Sequence, residues 1–185
     1  MEVIYLNKQS EFDLEDSCVA LGFFDGMHLG HLKLVEKVIS ICNKTGLKKG
    51  LLTFDVQPKA YLSNQHFKQL MSLEDKIDFM KKYDFDYLFV LSFSNKLASM
   101  EPDKFIDEYL IKTKIKHVVC GFDFHFGNQG KGDCNFLIKY KENNYEVSVI
   151  DKLEYKHHKI SSSFLREILS QGEVELATKL LNRPY

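Results

Sequence analysis

His28 and His31 stand three residues apart, directly after the turn signal Asp25-Gly26. On the first turn of a helix that spacing puts two imidazoles on one face. The unpaired amides and the dipole of such a turn attract anions, so the grouping suits a polyphosphate. Gly26 and Gly30 remove side chains where a backbone would have to approach a ligand closely. A second set lies at Ser161-Ser162-Ser163, where three hydroxyls open a helical region and Arg166 follows one turn later. Hydroxyls there can cap the helix or donate to an anion. A third set is Phe122, Phe124 and Phe126, alternating with Asp123 and His125 and followed by glycines at 127, 130 and 132. It reads either as an aromatic strand end with a flexible loop, or as a platform for a flat ring beside a mobile loop that closes over phosphates.

The elements that must position these groups follow from periodicity. The apolar run from Cys18 to Phe24 is a buried strand, and Leu32, Leu34, Val35, Val38, Ile39 and Cys42 recur at helical spacing until Gly46 stops the helix. Glu2 to Leu6 is a short first strand, with a polar segment from there to Ser17. Lys49 to Phe54 is another buried strand, and strand, helix and strand at this spacing predict a right-handed βαβ unit. Asp55 to Phe67 reads as a loop at a strand's C-terminal end, where open α/β sheets carry ligands. Ser72 to Asp75 starts a helix to about Tyr83 in the manner of a capping box. Strands at 86–93, 115–122 and 145–150 alternate with helices near Pro102, Asn135, Ile160 and Val174. The fold expected is α/β, a Rossmann-like parallel sheet with helices on both faces.

Composition bounds the rest. The 185 residues read as one domain, 44% hydrophobic and 28% charged, with a net charge of −1. That balance gives no reason to expect nucleic acid or an anionic membrane as partner. Cys18, Cys42, Cys120 and Cys134 show no paired spacing and read as reduced core thiols. No leader pattern opens the chain and no apolar run approaches about 18 residues, so a cytoplasmic location is expected; a monomer or weak oligomer is expected besides. His157-His158 makes a poor metal pair, because neighbours in an extended segment point to opposite faces. Neither G-x-G-x-x-G nor G-x-x-x-x-G-K-[ST] occurs.

The tetrad His28-Leu29-Gly30-His31 resembles the HxGH signature of the nucleotidyltransferase superfamily. The longer string from Gly22 to His31 is similar to the G-N-F-D-G-x-H-x-G-H motif of the FAD synthetase family, with Phe23 where that family has Asn. Gly121 to Asp133 resembles its G-x-[ND]-F-x-F-G…G-D segment, with His125 at a place usually Arg or Thr. Phe54-Asp55-Val56-Gln57-Pro58 resembles F-x-P-H-P, with Val56 and Gln57 replacing Pro and His. Ile160 to Arg166 resembles I-S-S-T-x-x-R, with Ser163 keeping the hydroxyl of Thr.

The resemblance implies a nucleotidyltransferase-type fold and transfer of AMP from ATP to FMN, giving FAD and pyrophosphate. It implies ATP contacts at Gly22, Phe23, Phe24, Asp25, Gly26, His28, Gly30, His31, Ser161, Ser162, Ser163 and Arg166. His28, His31 and Arg166 would be catalytic. FMN contacts are implied at Phe54, Gln57, Pro58, Asp123, Phe124 and Phe126. Mg2+ would accompany ATP, mostly through water, with Asp25 the nearest carboxylate. Leu181 to Tyr185 is similar to the L-x-R-P-Y that leads, in bifunctional members, into a riboflavin kinase barrel; residues 1–185 are expected to form the adenylyltransferase domain alone. Two rivals stand beside this reading. One is an HxGH enzyme adenylylating nicotinate mononucleotide or phosphopantetheine; the aromatic cluster at Phe122, Phe124 and Phe126 favours a flat isoalloxazine over a pantetheine chain. The other is a non-catalytic flavin- or nucleotide-binding protein, suggested by the replacements at Phe23, Val56 and Gln57.

Overall fold

The strand that leads into the histidine turn lies inside the sheet. In the computed structural model, which describes residues 1–6, 13–63, 68–141 and 144–185, the strands are β1 (Glu2–Tyr5), β2 (Ser17–Leu21), β3 (Lys48–Phe54), β4 (Tyr87–Leu91), β5 (Ile115–Gly121) and β6 (Glu146–Ile150). They form one sheet in the order β1-β4-β3-β2-β5-β6, and each pairing is parallel. β2 is buried along its whole length, as a parallel strand covered on both faces must be.

The side chains of β2 divide by strict alternation. Cys18 and Ala20 enter one core with Leu34, Val35 and Val38 of α1 (Leu29–Thr45) and Met80 of α3 (Leu73–Lys81). Val19 and Leu21 enter the other, with Phe105 and Ile106 of α5 (Pro102–Ile106) and Leu137 of α6 (Cys134–Tyr140). Helices therefore cover both faces. A third, smaller core joins α7 (Ser162–Ser170) to α8 (Val174–Leu181) through Leu165, Ile168, Ala177, Leu180 and Leu181. The four cysteines are buried free thiols.

The topology fixes where a ligand can enter. From β2 the chain steps outward to β3 and β4, and later returns to place β5 and β6 on the opposite side. The order reverses between β2 and β5, and at such a switch point a crevice opens beyond the carboxyl ends of the strands. The turn after β2 and the aromatic segment after β5 face each other across it.

Local signals explain most helix ends. Ser72 caps α3 by accepting from Asp75 N, and the Asp75 carboxylate accepts in turn from the serine hydroxyl at 2.8 Å, not from its amide. Gly46 ends α1 at φ +78°, its N–H reaching Cys42 O. The expected loop over Asp55 to Phe67 is corrected: Pro58 opens a short helix, α2 (Pro58–Ser63). Proline suits a first helical turn, but α2 buries no residue, so no apolar periodicity betrays it. Residues 64–67 of that stretch, and 7–12 of the polar segment after β1, lie outside the described residues. A four-residue helix, α4 (Asn95–Ala98), and a hairpin, β7 (Glu154–Tyr155) with β8 (His158–Lys159), are also absent from the sequence reading. His157 is not in an extended run: it and Lys156 have positive φ in the hairpin turn, the geometry that favours tight hairpins. His158 stacks on Phe164.

Candidate active site

His28 is the N-cap of α1, one residue earlier than a place on its first turn. Its Nδ1 accepts from the His31 amide at 3.3 Å, which puts the proton of neutral His28 on Nε2. The two rings stack with centroids 3.7 Å apart and 15° between planes. Gly30 makes this possible, because a Cβ there would lie 3.1 Å from the His28 ring. Phe24 closes the other side, its ring set edge-on to His31 at 5.2 Å.

Burial pushes the His28 imidazole down to about 4, helped by Lys159, and burial with the neighbouring His28 and Lys76 holds His31 well below 6.5. At neutral pH both rings are therefore uncharged donors, not cations. The Nδ1 of His31 is buried with no hydrogen-bond partner.

The turn between β2 and α1 is held from outside at nearly every peptide. Phe24 and Met27 carry positive φ, as does Gly26 at +83°, a conformation that strains all but glycine. The Phe23 carbonyl accepts from Lys76 Nζ at 2.6 Å and from the Thr53 hydroxyl at 3.0 Å. Ser162 donates to Asp25 O at 2.8 Å. Arg183 donates to Gly26 O at 2.8 Å and to Met27 O at 3.4 Å. The Asp25 side chain is 2% exposed; it accepts from the Leu70 and Met71 amides and pairs with Arg166. Burial raises its carboxyl, against the lowering by the Leu70 amide and Arg166.

This arrangement corrects one expectation. With its oxygens committed to two amides and a guanidinium, Asp25 braces the turn and does not fit a metal ligand. Among the described residues no group of three or more His, Cys, Asp or Glu could hold a metal ion. A cation held mainly by substrate phosphates and water fits these surroundings; the described residues offer no protein cage.

One cavity of about 910 Å³ collects almost all the residues singled out from sequence. Its first wall carries Gly22 to Asp25, His28, Gly30, His31, Ser161, Ser162, Ser163 and Arg166; its second carries Phe54, Gln57, Pro58, Asp123, Phe124 and Phe126. Gly26 is not in the lining and sits behind the turn, against Leu70 and Leu181. Of the serines, Ser161 caps α7 by accepting from Phe164 N and Ser162 is tied to Asp25 O; Ser163 is exposed.

The aromatic wall is graded. Phe126 is 6% exposed, packed among Phe105 and Phe136, so it supports the platform instead of forming it. Phe124 is partly exposed and stacks on Phe126 at 5.7 Å and 19°. Phe122 lies open with Lys159 over its ring, and Lys159 also pairs with Asp123. The glycine segment is a hydrogen-bonded turn: Phe126 and Gly132 pair as a bridge, and Asn128 N donates to Met100 O at 2.6 Å. Gly127 allows this closeness, since a Cβ there would lie 2.9 Å from Pro102. Gln57 lines the second wall with its Oε1 buried and unpaired.

Two side chains of this site escape sequence reasoning. Arg183, in the similarity at the C-terminal tail, carried no role there, and Lys76 was one charge among many on a helix. Its place four residues before Met80, on the one face that α3 buries, is the available signal.

Comparison with known proteins follows the same geometry. A family model described as FAD synthetase matches residues 10–164. A bifunctional riboflavin kinase/FMN adenylyltransferase from Listeria monocytogenes is 38% identical over 190 residues, covering 100% of this chain and 60% of the relative. Its counterpart from Bacillus subtilis is 38% identical over 171 residues, covering 91% and 54%. The chain thus spans little more than half the length of these relatives. A crystal structure described as a macrolide-efflux protein from Streptococcus pneumoniae superposes with a TM-score of 0.88 at 29% identity, covering 100% of this chain and 62% of that one. A pantoate-beta-alanine ligase from Francisella tularensis, solved with an ATP analogue and beta-alanine, shares the fold at a TM-score of 0.58 and 16% identity, covering 98% and 78%.

Proposed function

The chain belongs to the FAD synthetase family, and on that premise we propose that it transfers the adenylyl group of ATP to FMN, giving FAD and pyrophosphate. The observation that carries this reading is the stacked pair of neutral imidazoles at the start of α1, facing aromatic rings across one cavity. The names of the relatives support FMN as the acceptor over nicotinate mononucleotide or phosphopantetheine. The braced His28–His31 pair supports catalysis over binding alone.

An FMN phosphate oxygen attacks the α-phosphorus of ATP in line. The bond from that phosphorus to the bridging oxygen of the β-phosphate breaks, and its electron pair leaves with pyrophosphate. Such a transfer needs positioning and charge stabilisation, not a protein nucleophile. His28 donates from Nε2 to the phosphates, and His31 donates beside it. Being neutral and fixed, these donors stabilise charge where it develops without reorganising. The amide groups opening α7 and the Arg166 guanidinium hold the leaving pyrophosphate. Mg2+ enters with ATP as part of the substrate.

On the second wall Phe124 offers its face to the isoalloxazine, backed by Phe126, with Phe54, Pro58 and Asp123 around it. Gln57 meets the phosphate end. No helix among the described residues is long and apolar enough to cross a membrane. Four buried thiols fit a reducing compartment, and we place the reaction in the cytoplasm, on small-molecule substrates, in a monomer or weak oligomer.

The test is incubation of purified protein with ATP, Mg2+ and FMN, following FAD and pyrophosphate by chromatography. Nicotinate mononucleotide and phosphopantetheine serve as control acceptors. FAD should form from FMN alone. Adenylylation of either control, or of nothing, overturns the assignment.

A further inference from the structure

We propose that Lys76 is a positioning residue for His31, holding the peptide between Phe23 and Phe24 in the orientation that sets the Phe24 ring edge-on to the imidazole. This rests on the reading of His31 as a hydrogen-bond donor to the ATP phosphates in adenylyl transfer.

Lys76 projects from α3 into the space between the sheet and the turn and is 2% exposed. A buried lysine without a purpose is rare, and this one has well-defined partners. Its Nζ donates to Phe23 O at 2.6 Å and to Thr53 Oγ1 at 2.9 Å, while lying 4.6 Å from the centre of the Phe23 ring. The Thr53 hydroxyl donates to the same carbonyl at 3.0 Å. The Phe23 carbonyl therefore receives two donors, one of them charged.

The residue after that carbonyl is Phe24, at φ +57°. For a bulky side chain this backbone is strained and persists only where its surroundings fix it. The two donors on Phe23 O supply that constraint. Downstream, the Phe24 ring is 1% exposed and meets His31 edge-on at 5.2 Å. A chain of contacts thus runs from α3 to the catalytic pair without Lys76 touching the cavity, and Lys76 is absent from its lining.

Phe23 is the position where the resembled motif carries Asn. Here its ring gives the ammonium an aromatic face, so the replacement sits on the bracing side of the turn as well as in the cavity wall.

Charge acts along the same path. His31 faces His28 from the α1 cap, Lys76 from α3 and Lys159 from β8, and each opposes its protonation. Burial presses Lys76 itself down to about 8, with Asp25 acting the other way. At neutral pH it remains an ammonium and adds to burial and His28 in disfavouring a charge on His31.

The experiment uses Lys76→Met and Thr53→Val in the intact chain, with two readouts. Histidine ring resonances followed by NMR against pH report His31 without any turnover, and steady-state rates with ATP and FMN report kcat and KM. In Lys76→Met the His31 titration should move to higher pH, and kcat should fall about tenfold with the KM for FMN within about twofold. In Thr53→Val, which keeps the ammonium, the titration should stay in place while kcat falls less, by a few fold. A Lys76→Met protein that merely melts earlier, with wild-type kcat and an unmoved His31 titration, overturns the proposal. If Lys76→Met does not fold, wild-type kcat in Thr53→Val overturns it. Absence of FAD formation by the wild-type protein defeats the functional reading, and the His31 titration still decides the positioning role.

Discussion

The wall bearing His28, His31 and Arg166 is gripped from β3, α3, α7 and the C-terminal tail, whereas the wall bearing Phe124 and Gln57 presents side chains with few ties. On the first, the carbonyls of Phe23, Asp25, Gly26 and Met27 each accept a bond from a distant side chain. On the second, α2 buries nothing and Phe122 is 44% exposed. The contrast follows the chemistry each side performs. Stabilising charge at phosphorus requires donors fixed before the reaction, since any reorganisation is added to the barrier. Holding a flat ring needs only area and a stacking face. Changes on the braced wall should therefore lower turnover, and changes on the open wall should alter affinity.

The largest effect should come from the histidines. His28→Ala or His31→Ala should lower kcat on the order of 10²-fold or more, as loss of a donor aimed at the transition state does, with FMN binding retained. Wild-type kcat in both variants, measured beside FMN affinity by fluorescence quenching, would show the pair to be structural.

Acid should find the braced wall next. Folded His28 takes its proton near pH 4 and the unfolded chain near 6.5, so unfolding binds a proton between those values. Stability is whole above pH 6.5 and is lost as pH falls toward 4, by roughly 3 kcal/mol at most for this group. Urea denaturation at pH 7 and pH 4.5 should show a decline that His28→Gln flattens. ATP should steepen the contrast with the open wall: its phosphates favour protonated imidazole, so the nucleotide should protect against acid and riboflavin should not.

Phe124→Ala addresses the other side. It should raise the KM for FMN about tenfold, the equivalent of roughly 1.4 kcal/mol of lost ring contact, while kcat holds and stability changes by no more than about 1 kcal/mol. A fall in kcat with unchanged KM would erase the distinction between the walls.

The same division marks what could be read from the chain. Apolar runs and glycine stops revealed the sheet, because burial on both faces of β2 leaves a continuous signal from Cys18 to Leu21. The histidines and the serine–arginine set were legible because their residue types and spacing are local. What held them was not. Lys76 and Arg183 act through long-range bonds to the turn, and no periodicity announces which lysine turns inward. Phe124 and Phe126 look alike in sequence; Phe105 and Phe136, distant in the chain, decide that one is core and the other surface. The helix at Pro58 leaves no signal because it buries nothing, and Asp25 looks like a metal candidate in sequence because bonds from the Leu70 and Met71 amides leave no trace in composition.

Gln57 gives the smallest and most selective test of the open wall. The resembled motif carries His at this place, and a histidine can become charged near neutral pH where glutamine cannot. A neutral amide donating to phosphate is roughly half as strong as a charge-assisted bond, and its strength does not change with pH. With Gln57 in place, FMN affinity should vary little between pH 6 and 8. Gln57→His should bind a few fold more tightly at pH 6 than at pH 8, as the ring takes its proton near its ordinary value of about 6.5. FMN phosphate has a second ionisation in the same range, which would by itself bend the curve. Riboflavin 5′-sulfate, whose charge is fixed, removes that contribution and leaves only the protein's. Tightening toward acid with the sulfate would place residue 57 at the anionic end of the flavin. A flat titration in Gln57→His would set residues 55–58 apart from the phosphate, leaving the open wall a ring platform with no charge-reading element.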